Sequence, residues 1–159
     1  MNTNSRPIKT GEEDFIYELI LREFHKSVAP AYSQKGIETF LNMLSPEFLS
    51  ETDSEKFSIV AECNHQIVGI LSMINISHIA LLFVDSAFQG HGIGKKLIQT
   101  SIDGLLKKHP DITDITVSSS PNSLSFYQNA GFEIIENEKN ENGMRYTPMK
   151  KYIGNQTGD

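Results

Sequence analysis

A glycine-rich segment, residues 84–96, carries the residue types best suited to binding chemistry. Gly90, Gly92 and Gly94 alternate along it, and an apolar run of six residues ends at its start. Apolar residues at helical spacing follow the glycines, so the segment joins a predicted buried strand to a predicted helix. The first N–H groups of a helix have no helical partner, and they meet the positive end of the helix dipole. The junction is therefore predicted to bind an anion, most simply a phosphate, and Lys95 adds positive charge there.

Two common phosphate-binding loops do not fit this segment. A nucleotide-triphosphate loop needs a glycine five residues before Gly94 and a Ser or Thr after Lys95, but those positions hold Gln89 and Lys96. A dinucleotide loop, G-x-G-x-x-G, fails in both registers, because the third glycine position holds a lysine or a leucine. The pattern that fits is Q-x-x-G-x-G, which Gln89, Gly92 and Gly94 satisfy.

This pattern resembles the pyrophosphate loop, Q/R-x-x-G-x-G/A, of the GNAT N-acetyltransferase superfamily. Residues 82–85, Leu-Phe-Val-Asp, resemble the family's fourth strand and its bulged exit. Residues 125–132 contain Tyr127 ahead of a Gly-Phe pair and are similar to the family's x-x-Y-x-x-x-G-F segment. The predicted order of strands and helices also matches over nearly the whole chain. The resemblance therefore rests on two motifs and a topology.

The resemblance implies direct transfer of an acetyl group from acetyl-CoA to a primary amine, within a ternary complex. The acceptor would be a small molecule or a peptide amine. The pantetheine arm would lie between the splayed fourth and fifth strands, and Tyr127 would be the general acid for the CoA thiolate. The implied cofactor-binding residues are Leu82, Phe83, Val84, Gln89, Gly90, His91, Gly92, Ile93, Gly94 and Lys95.

Several roles stay open at this stage. The general base could be Glu62, His78, His25 or an ordered water, and Tyr32 also lies where the acceptor site would be covered. Ser120 occupies a position where many family members have a cofactor-contacting Asn, and it could cap a helix and do nothing more; Asn122 is the alternative for that contact. A metal site is not expected, because His91 has no Cys or carboxylate partner at ligand spacing.

The elements that position these residues follow from hydrophobic periodicity. The order β-α-α-β-β-β-α-β-α-β-β predicts an α/β fold with a mixed, mostly antiparallel sheet of about seven strands and about four helices. We expect the first strand over residues 6–10, with Thr10 capping the first helix, and the second helix to end at Pro46. Residues 57–63 alternate like a strand with one buried face, and Pro148 suggests that the last strand lies at an edge or carries a bulge.

Composition limits the class of protein. A length of 159 residues predicts one domain over residues 1–159, with an ordered core over about 6–153 and a tail over 154–159. The formal net charge of −6 argues against a nucleic-acid partner. The six-residue run Ile79–Val84 is far short of the roughly 20 residues that cross a membrane, so no membrane partner is expected.

The location and the partners are expectations of the same kind. A polar N-terminus and a single cysteine, Cys63, suit a cytoplasmic protein. An exposed last strand could pair across the axis of a homodimer. Two other functions are also compatible with the glycine loop: a non-catalytic acyl-CoA-binding or regulatory module, and a nucleotide-binding protein. The presence of Tyr127 argues mildly against the first rival.

Overall fold

The structure is a computed structural model that describes residues 2–154, which form eight strands and five α-helices. The strands are β1 (Thr3–Pro7), β2 (Phe57–Cys63), β3 (Gln66–Ile74), β4 (His78–Val84), β5 (Asp114–Ser119), β6 (Glu133–Ile134), β7 (Lys139–Glu141) and β8 (Met144–Tyr152). The helices are α1 (Glu13–Ser27), α2 (Gln34–Met43), α3 (Pro46–Ser50), α4 (Ile93–Lys108) and α5 (Leu124–Asn129). The predicted tail, apart from Gly154, lies outside the described residues.

All eight strands belong to one mixed sheet. Its order is β1-β2-β3-β4-β5-β8-β6, and β7 also pairs with β8. The pair β4–β5 is parallel, and the other pairs are antiparallel. The predicted mixed α/β fold is therefore confirmed, with one more strand and one more helix than expected.

The two central strands separate soon after they meet. Strands β4 and β5 pair at two positions, His78 with Thr116 and Ile79 with Val117, and then diverge. On the other side of β4 the register with β3 shifts by one residue, which makes Ala80 a β-bulge. A bulge bends its strand and increases the local twist, so its place directly after the last β4–β5 pair accounts for the splay.

Each face of the sheet carries its own apolar core. Helices α4 and α5 cover one face, where the fully buried side chains include Leu97, Leu105 and Ile115. Helices α1 and α3 cover the other face, where Ile16, Leu49 and others are buried. Because both faces are covered, β2 is buried on both sides, and the predicted single buried face of residues 57–63 is wrong. Val60, where the alternation breaks, packs under α1 and belongs to the second core.

Other differences concern where elements begin and end. Strand β1 starts three residues earlier than predicted, and α1 is capped at Glu12 rather than Thr10, without a side-chain hydrogen bond. The Glu12 carboxylate instead accepts the Lys9 N–H at 2.7 Å. Pro46 does not simply end α2: it occupies the first turn of α3, where a proline needs no N–H, and the Ser45 side chain caps that helix.

The last strand is not at an edge. Strand β8 pairs with β5 on one side and with β6 and β7 on the other, and β6 forms the edge. Pro148 lies where the pairing of β8 passes from β6 to β7, so its missing N–H interrupts neither ladder. The Pro148 carbonyl accepts the Ile135 N–H at 3.0 Å.

Among residues 2–154, no helix combines the length and apolar composition that crossing a bilayer requires.

Candidate active site

One cavity of 660 Å³ opens where β4 and β5 diverge. Its walls come from the C-terminal end of α1, from α2, from β4 with the glycine loop, from β5, and from α5. The wall residues include Glu23, Ser27, Tyr32, Phe40, Leu82, Phe83, Val84, Gln89, Gly92, Gly94, Lys95, Asn122, Phe126 and Tyr127. Tyr127 and every residue predicted to bind the cofactor line this cavity, except His91, which is exposed in the glycine loop.

The glycine loop presents main-chain donors to the cavity. Within the described part of the chain, the N–H groups of residues 90–95 donate no hydrogen bond, and the first helical bond of α4 runs from the Lys96 N–H to the Gly92 carbonyl at 3.0 Å. Six successive free donors at the N-terminus of a 16-residue helix form an anion site. Lys95 also lines the cavity, whereas the Lys96 ammonium donates to the Thr3 carbonyl.

Two of the glycines are required for different reasons. Gly92 caps α4 with a left-handed φ of +77°, which side chains with a Cβ rarely adopt. Gly94 has an ordinary backbone, but a Cβ there would come within 2.9 Å of the Phe126 ring. Gly92 therefore sets the loop conformation, and Gly94 lets the start of α4 approach α5 closely.

The exposed edge of β4 faces the gap with main-chain groups. The Asp85 N–H donates to the Val68 carbonyl of β3 at 2.8 Å. Successive residues of a strand direct their N–H groups to opposite sides. The N–H and C=O groups of Leu82 and Val84 therefore point away from β3 into the gap. The Gln89 side chain donates to the Val84 carbonyl at 3.0 Å, which ties the loop to the strand end.

Tyr127 lies in α5, with its ring packed edge-on against Phe126 and Phe132 at centroid distances of 5.1 and 5.3 Å. The side chain is almost fully buried but lines the cavity. Within residues 2–154 its hydroxyl has no hydrogen-bond partner, so it is available to a ligand. Burial raises the pKa of the Tyr127 hydroxyl well above its usual value of 10, and the phenol remains protonated through the neutral range.

The opposite part of the cavity has aromatic walls. Phe40 of α2 stacks on Phe24 at 4.0 Å and meets Phe83 of β4 edge-on at 6.5 Å. Tyr32 packs against Phe24, and desolvation raises the pKa of its hydroxyl. The N-terminus of α2 is fixed to the β7–β8 turn, because the Ser33 N–H donates to the Gly143 carbonyl at 3.3 Å.

None of the three predicted side-chain candidates for a general base lines the cavity. Glu62 of β2 is bound by Arg6 at 3.1 Å, and this contact lowers the pKa of the carboxyl. His25 is exposed on α1. His78 lies at the paired end of β4, bonded to the Thr116 hydroxyl at 2.7 Å, and desolvation lowers the pKa of its imidazole. A base reached through ordered water is the remaining predicted alternative.

Ser120 lines the cavity and precedes the turn Pro121–Ser123, as predicted. Its hydroxyl donates to the Ser123 hydroxyl at 3.1 Å rather than to a backbone N–H, so its capping contact is between side chains. Cys63 is buried. Among the described residues, no group of three or more His, Cys, Asp or Glu side chains is placed to hold a metal ion.

Of two further polar residues that shape the cavity, sequence reasoning missed Glu23 and named Asn122 only as an alternative to Ser120. Glu23 is 1% exposed on α1, and Asn122 follows β5. A signal for Glu23 was present: it lies four residues after Leu19 and seven after Ile16, on the apolar stripe of its helix. An ionisable residue on such a stripe needs a buried partner. For the contact between Asn122 and α1 the sequence carries no comparable signal.

Comparison with known proteins places these features in a family. The model of the acetyltransferase (GNAT) domain matches residues 28–153. The chain is 24% identical over 145 residues to N-alpha-acetyltransferase 30 of Dictyostelium discoideum, covering 82% of this chain and 73% of that protein. It is 42% identical over 52 residues to histone acetyltransferase TAP1 of Glycine max, and these cover 33% of this chain and 22% of that relative.

Solved structures share the fold at low sequence identity. The GCN5-related N-acetyltransferase of Rhodopseudomonas palustris superposes with a TM-score of 0.80 at 20% identity, covering 96% of this chain and 97% of that one. The PaiA N-acetyltransferase of Thermoplasma acidophilum, solved in complex with coenzyme A, gives a TM-score of 0.78 at 19% identity, with coverage of 96% and 100%. At such identities the likeness shows the fold alone.

Proposed function

Because this chain belongs to the GNAT acetyltransferase family, we propose that it transfers the acetyl group of acetyl-CoA to a primary amine by direct attack in a ternary complex. One observation carries the proposal. A single cavity joins the free N–H groups of the glycine loop, the unpaired edge of β4 and the hydroxyl of Tyr127. These are a diphosphate site, a strand-like binding edge and a proton donor, in the order in which an extended acyl-CoA would meet them.

The cofactor half of the cavity suits the shape and charge of acetyl-CoA. The pyrophosphate binds the N–H groups of residues 90–95, with Lys95 as counter-charge. The two amides of the pantetheine arm pair with the gap-facing groups of Leu82 and Val84, as an added strand would. The Thermoplasma relative, which carries coenzyme A on the same fold, supports this cofactor.

In the transfer step the amine nitrogen attacks the thioester carbon, the carbon–sulfur bond breaks, and the products are an amide and free CoA. A gap-facing N–H of β4, that of Leu82 or Val84, stabilises the oxyanion. Tyr127 acts as the general acid by donating its hydrogen bond to the departing sulfur. Because a thiol has a pKa of about 8.5, below that of a buried phenol, Tyr127 does not remain deprotonated after it gives its proton to the sulfur. The proton that the amine loses passes through water and restores the Tyr127 hydroxyl, so the step balances overall.

The acceptor must reach the thioester as a neutral amine. In the described residues, the titratable side chains of the cavity wall are Glu23, Tyr32, Lys95 and Tyr127. Both oxygens of Glu23 accept hydrogen bonds from Ser86, so this carboxylate is occupied. We therefore assign deprotonation to water, and the pH dependence of the rate then follows the pKa of the acceptor amine.

The acceptor half favours an amine attached to an apolar body. Tyr32, Phe40 and Phe83 give it aromatic walls, and the hydroxyl of Tyr32, which has no partner within the described residues, offers one hydrogen bond. The relatives whose name specifies N-alpha acetylation support the α-amino group of a peptide as one form of this acceptor.

Two measurements test the proposal. Calorimetry of the purified protein with acetyl-CoA, with ATP as the comparison ligand, tests the cofactor site. Release of free CoA thiol over time, followed with a panel of peptide and small-molecule amines and identified by mass spectrometry, tests the transfer. Binding without thiol release for any amine would support the non-catalytic acyl-CoA-binding module instead. No heat with acetyl-CoA at millimolar concentration would reject both.

A further inference from the structure

We infer that the last turn of α1, residues 23–27, is a bridge that fixes the width of the gap between β4 and β5, and that Glu23 is its positioning residue. This inference rests on the proposed function, because the gap is the proposed site of the pantetheine arm. We call residues 23–27 the α1 bridge. It contacts the chain directly after β4 with one end and directly after β5 with the other.

The first end of the α1 bridge holds the exit of β4. The Ser86 N–H donates to Glu23 Oε2 at 3.1 Å, and the Ser86 hydroxyl donates to Glu23 Oε1 and Oε2 at 3.0 and 2.8 Å. The Lys26 ammonium donates to the same hydroxyl at 2.7 Å. Arg22 adds an ion pair with Asp85 at 3.1 Å. Since Glu23 is buried, its hydrogen bonds to Ser86 are costly to lose.

The second end holds the exit of β5. The Asn122 side-chain amide donates to the Ser27 carbonyl at 2.7 Å, across 95 residues of sequence. That carbonyl belongs to the last turn of α1, where carbonyl groups have no helical partner. Asn122 therefore caps α1 from the far side of the gap. Glu23, Ser27 and Asn122 all line the cavity, so the bridge crosses the proposed cofactor site.

The sheet itself cannot fix this width. The last β4–β5 pair joins Ile79 to Val117, and beyond it no strand formed by residues 2–154 lies between β4 and β5. The gap therefore widens from the last β4–β5 pair, and the α1 bridge spans its wide end. The bridge also holds the turn that leads from Ser86 into the glycine loop. A preorganised gap spares acetyl-CoA the cost of ordering its own site.

The experiment removes the hydrogen bonds at each end of the α1 bridge separately and then at both ends together. Glu23→Leu removes the Ser86 contacts and places an apolar residue of similar size on the apolar stripe of α1. Asn122→Ala removes the contact with Ser27. Acetyl-CoA Kd is measured by calorimetry for both single variants and the double variant. A bridge cut at either end no longer spans the gap, so each single variant raises Kd about tenfold and the double variant is not much weaker.

Independent local roles give a different result. If each residue simply contacts acetyl-CoA or stabilises its own turn, the two effects multiply, and a roughly hundredfold loss in the double variant would overturn the bridge. Single variants within twofold of the wild type would overturn it as well. Glu23→Gln keeps a carbonyl acceptor for Ser86 and is expected to restore most of the affinity. Gln99→Ala, which removes an exposed bond to Asp103 on α4, is the control.

Amide hydrogen exchange separates this inference from the proposed function. In the ligand-free single variants, exchange of the Val28 N–H, which bonds the Phe24 carbonyl at 2.9 Å, is expected to be faster than in the wild type. Unchanged exchange would reject the bridge even where acetyl-CoA binds. Failure of the wild type to bind acetyl-CoA would instead reject the proposed function.

Discussion

The two halves of the cavity are built from different parts of the chain. The cofactor half, formed by β4 and the glycine loop, presents main-chain N–H and C=O groups of consecutive residues. The acceptor half, formed by Tyr32, Phe40 and Phe83, presents side chains from α1's exit, α2 and β4. A main-chain site requires particular backbone conformations, and these restrict sequence locally. A side-chain site requires that distant elements meet, and this leaves no local pattern.

The largest effect is expected at Tyr127, where the two halves meet. Tyr127→Phe keeps the ring and its contacts with Phe126 and Phe132 but removes the hydroxyl. Loss of a general acid typically costs 10²–10⁴ in rate, so we expect kcat to fall about 100-fold. Acetyl-CoA Kd should stay within about twofold, since the hydroxyl acts on the sulfur during transfer. Steady-state kinetics and calorimetry on the same preparation make the comparison.

An unchanged kcat for this variant would remove Tyr127 from the mechanism. A weaker acetyl-CoA affinity with normal kcat would place the hydroxyl in the cofactor half as a binding group. Either result would change the role assigned to Tyr127 between the two halves of the cavity.

The cofactor half can be tested with a pair of glycines. Gly92→Ala places a Cβ on a residue with φ of +77°, which costs about 1–2 kcal/mol or displaces the loop. We expect acetyl-CoA Kd to rise about tenfold, with kcat at saturation nearly unchanged. Gly104→Ala is the matched control: it lies within α4, a Cβ there meets nothing within 4 Å, and the change should stabilise the helix without affecting binding.

Equal acetyl-CoA affinities for the two alanine variants would show that the loop conformation does not hold the cofactor.

The same contrast explains which elements and site residues could be predicted from the sequence. The positions of β2 and of the buried strand predicted before the glycines agree with their hydrophobic patterns, and the glycine loop and Tyr127 lie in one cavity. Gly92 illustrates why: a left-handed helix cap has few solutions, so it appears as a residue type at a fixed position. The start of α1 was predicted wrongly: Thr10 fits a capping pattern, but the helix is capped at Glu12.

The polar residues of the walls could not be assigned in the same way. Glu62 and His78 are ionisable residues on strands and looked like base candidates, but Arg6 and Thr116 bind them outside the cavity. Glu23 showed its own anomaly on an apolar stripe, but its partner Ser86 is 63 residues away. Such partners depend on how α1 lies on the sheet, which periodicity within one element does not encode.

The acceptor half is expected to respond more weakly. Tyr32→Phe removes a hydroxyl that has no partner among residues 2–154 while keeping the aromatic wall against Phe24. If this hydroxyl bonds the acceptor, its loss costs about 0.5–1.5 kcal/mol, and KM for the amine rises about two- to twelvefold. Acetyl-CoA Kd should not change. The reverse pattern, a normal amine KM with a raised Kd, would assign Tyr32 to the cofactor half.

The smallest effect on catalysis is expected at His78, and it separates a base from a structural histidine. Desolvation lowers the pKa of His78 in the folded protein, so below about pH 6.5 the unfolded chain binds a proton that the folded chain resists. Stability from this residue is therefore present above that pH and is lost as pH falls toward the lowered pKa. His78→Gln keeps a polar partner for Thr116 and removes the titration.

In this variant the free energy of unfolding, from denaturant titrations at several pH values, should vary less between about pH 5 and 7 than in the wild type. The pH profile of kcat/KM should not move, because that profile belongs to the acceptor amine. Replacing the amine by one of lower pKa should shift the rising limb to lower pH in both proteins alike. Loss of the rising limb in His78→Gln would make His78 the general base after all, and the acceptor half would then extend to the paired end of β4.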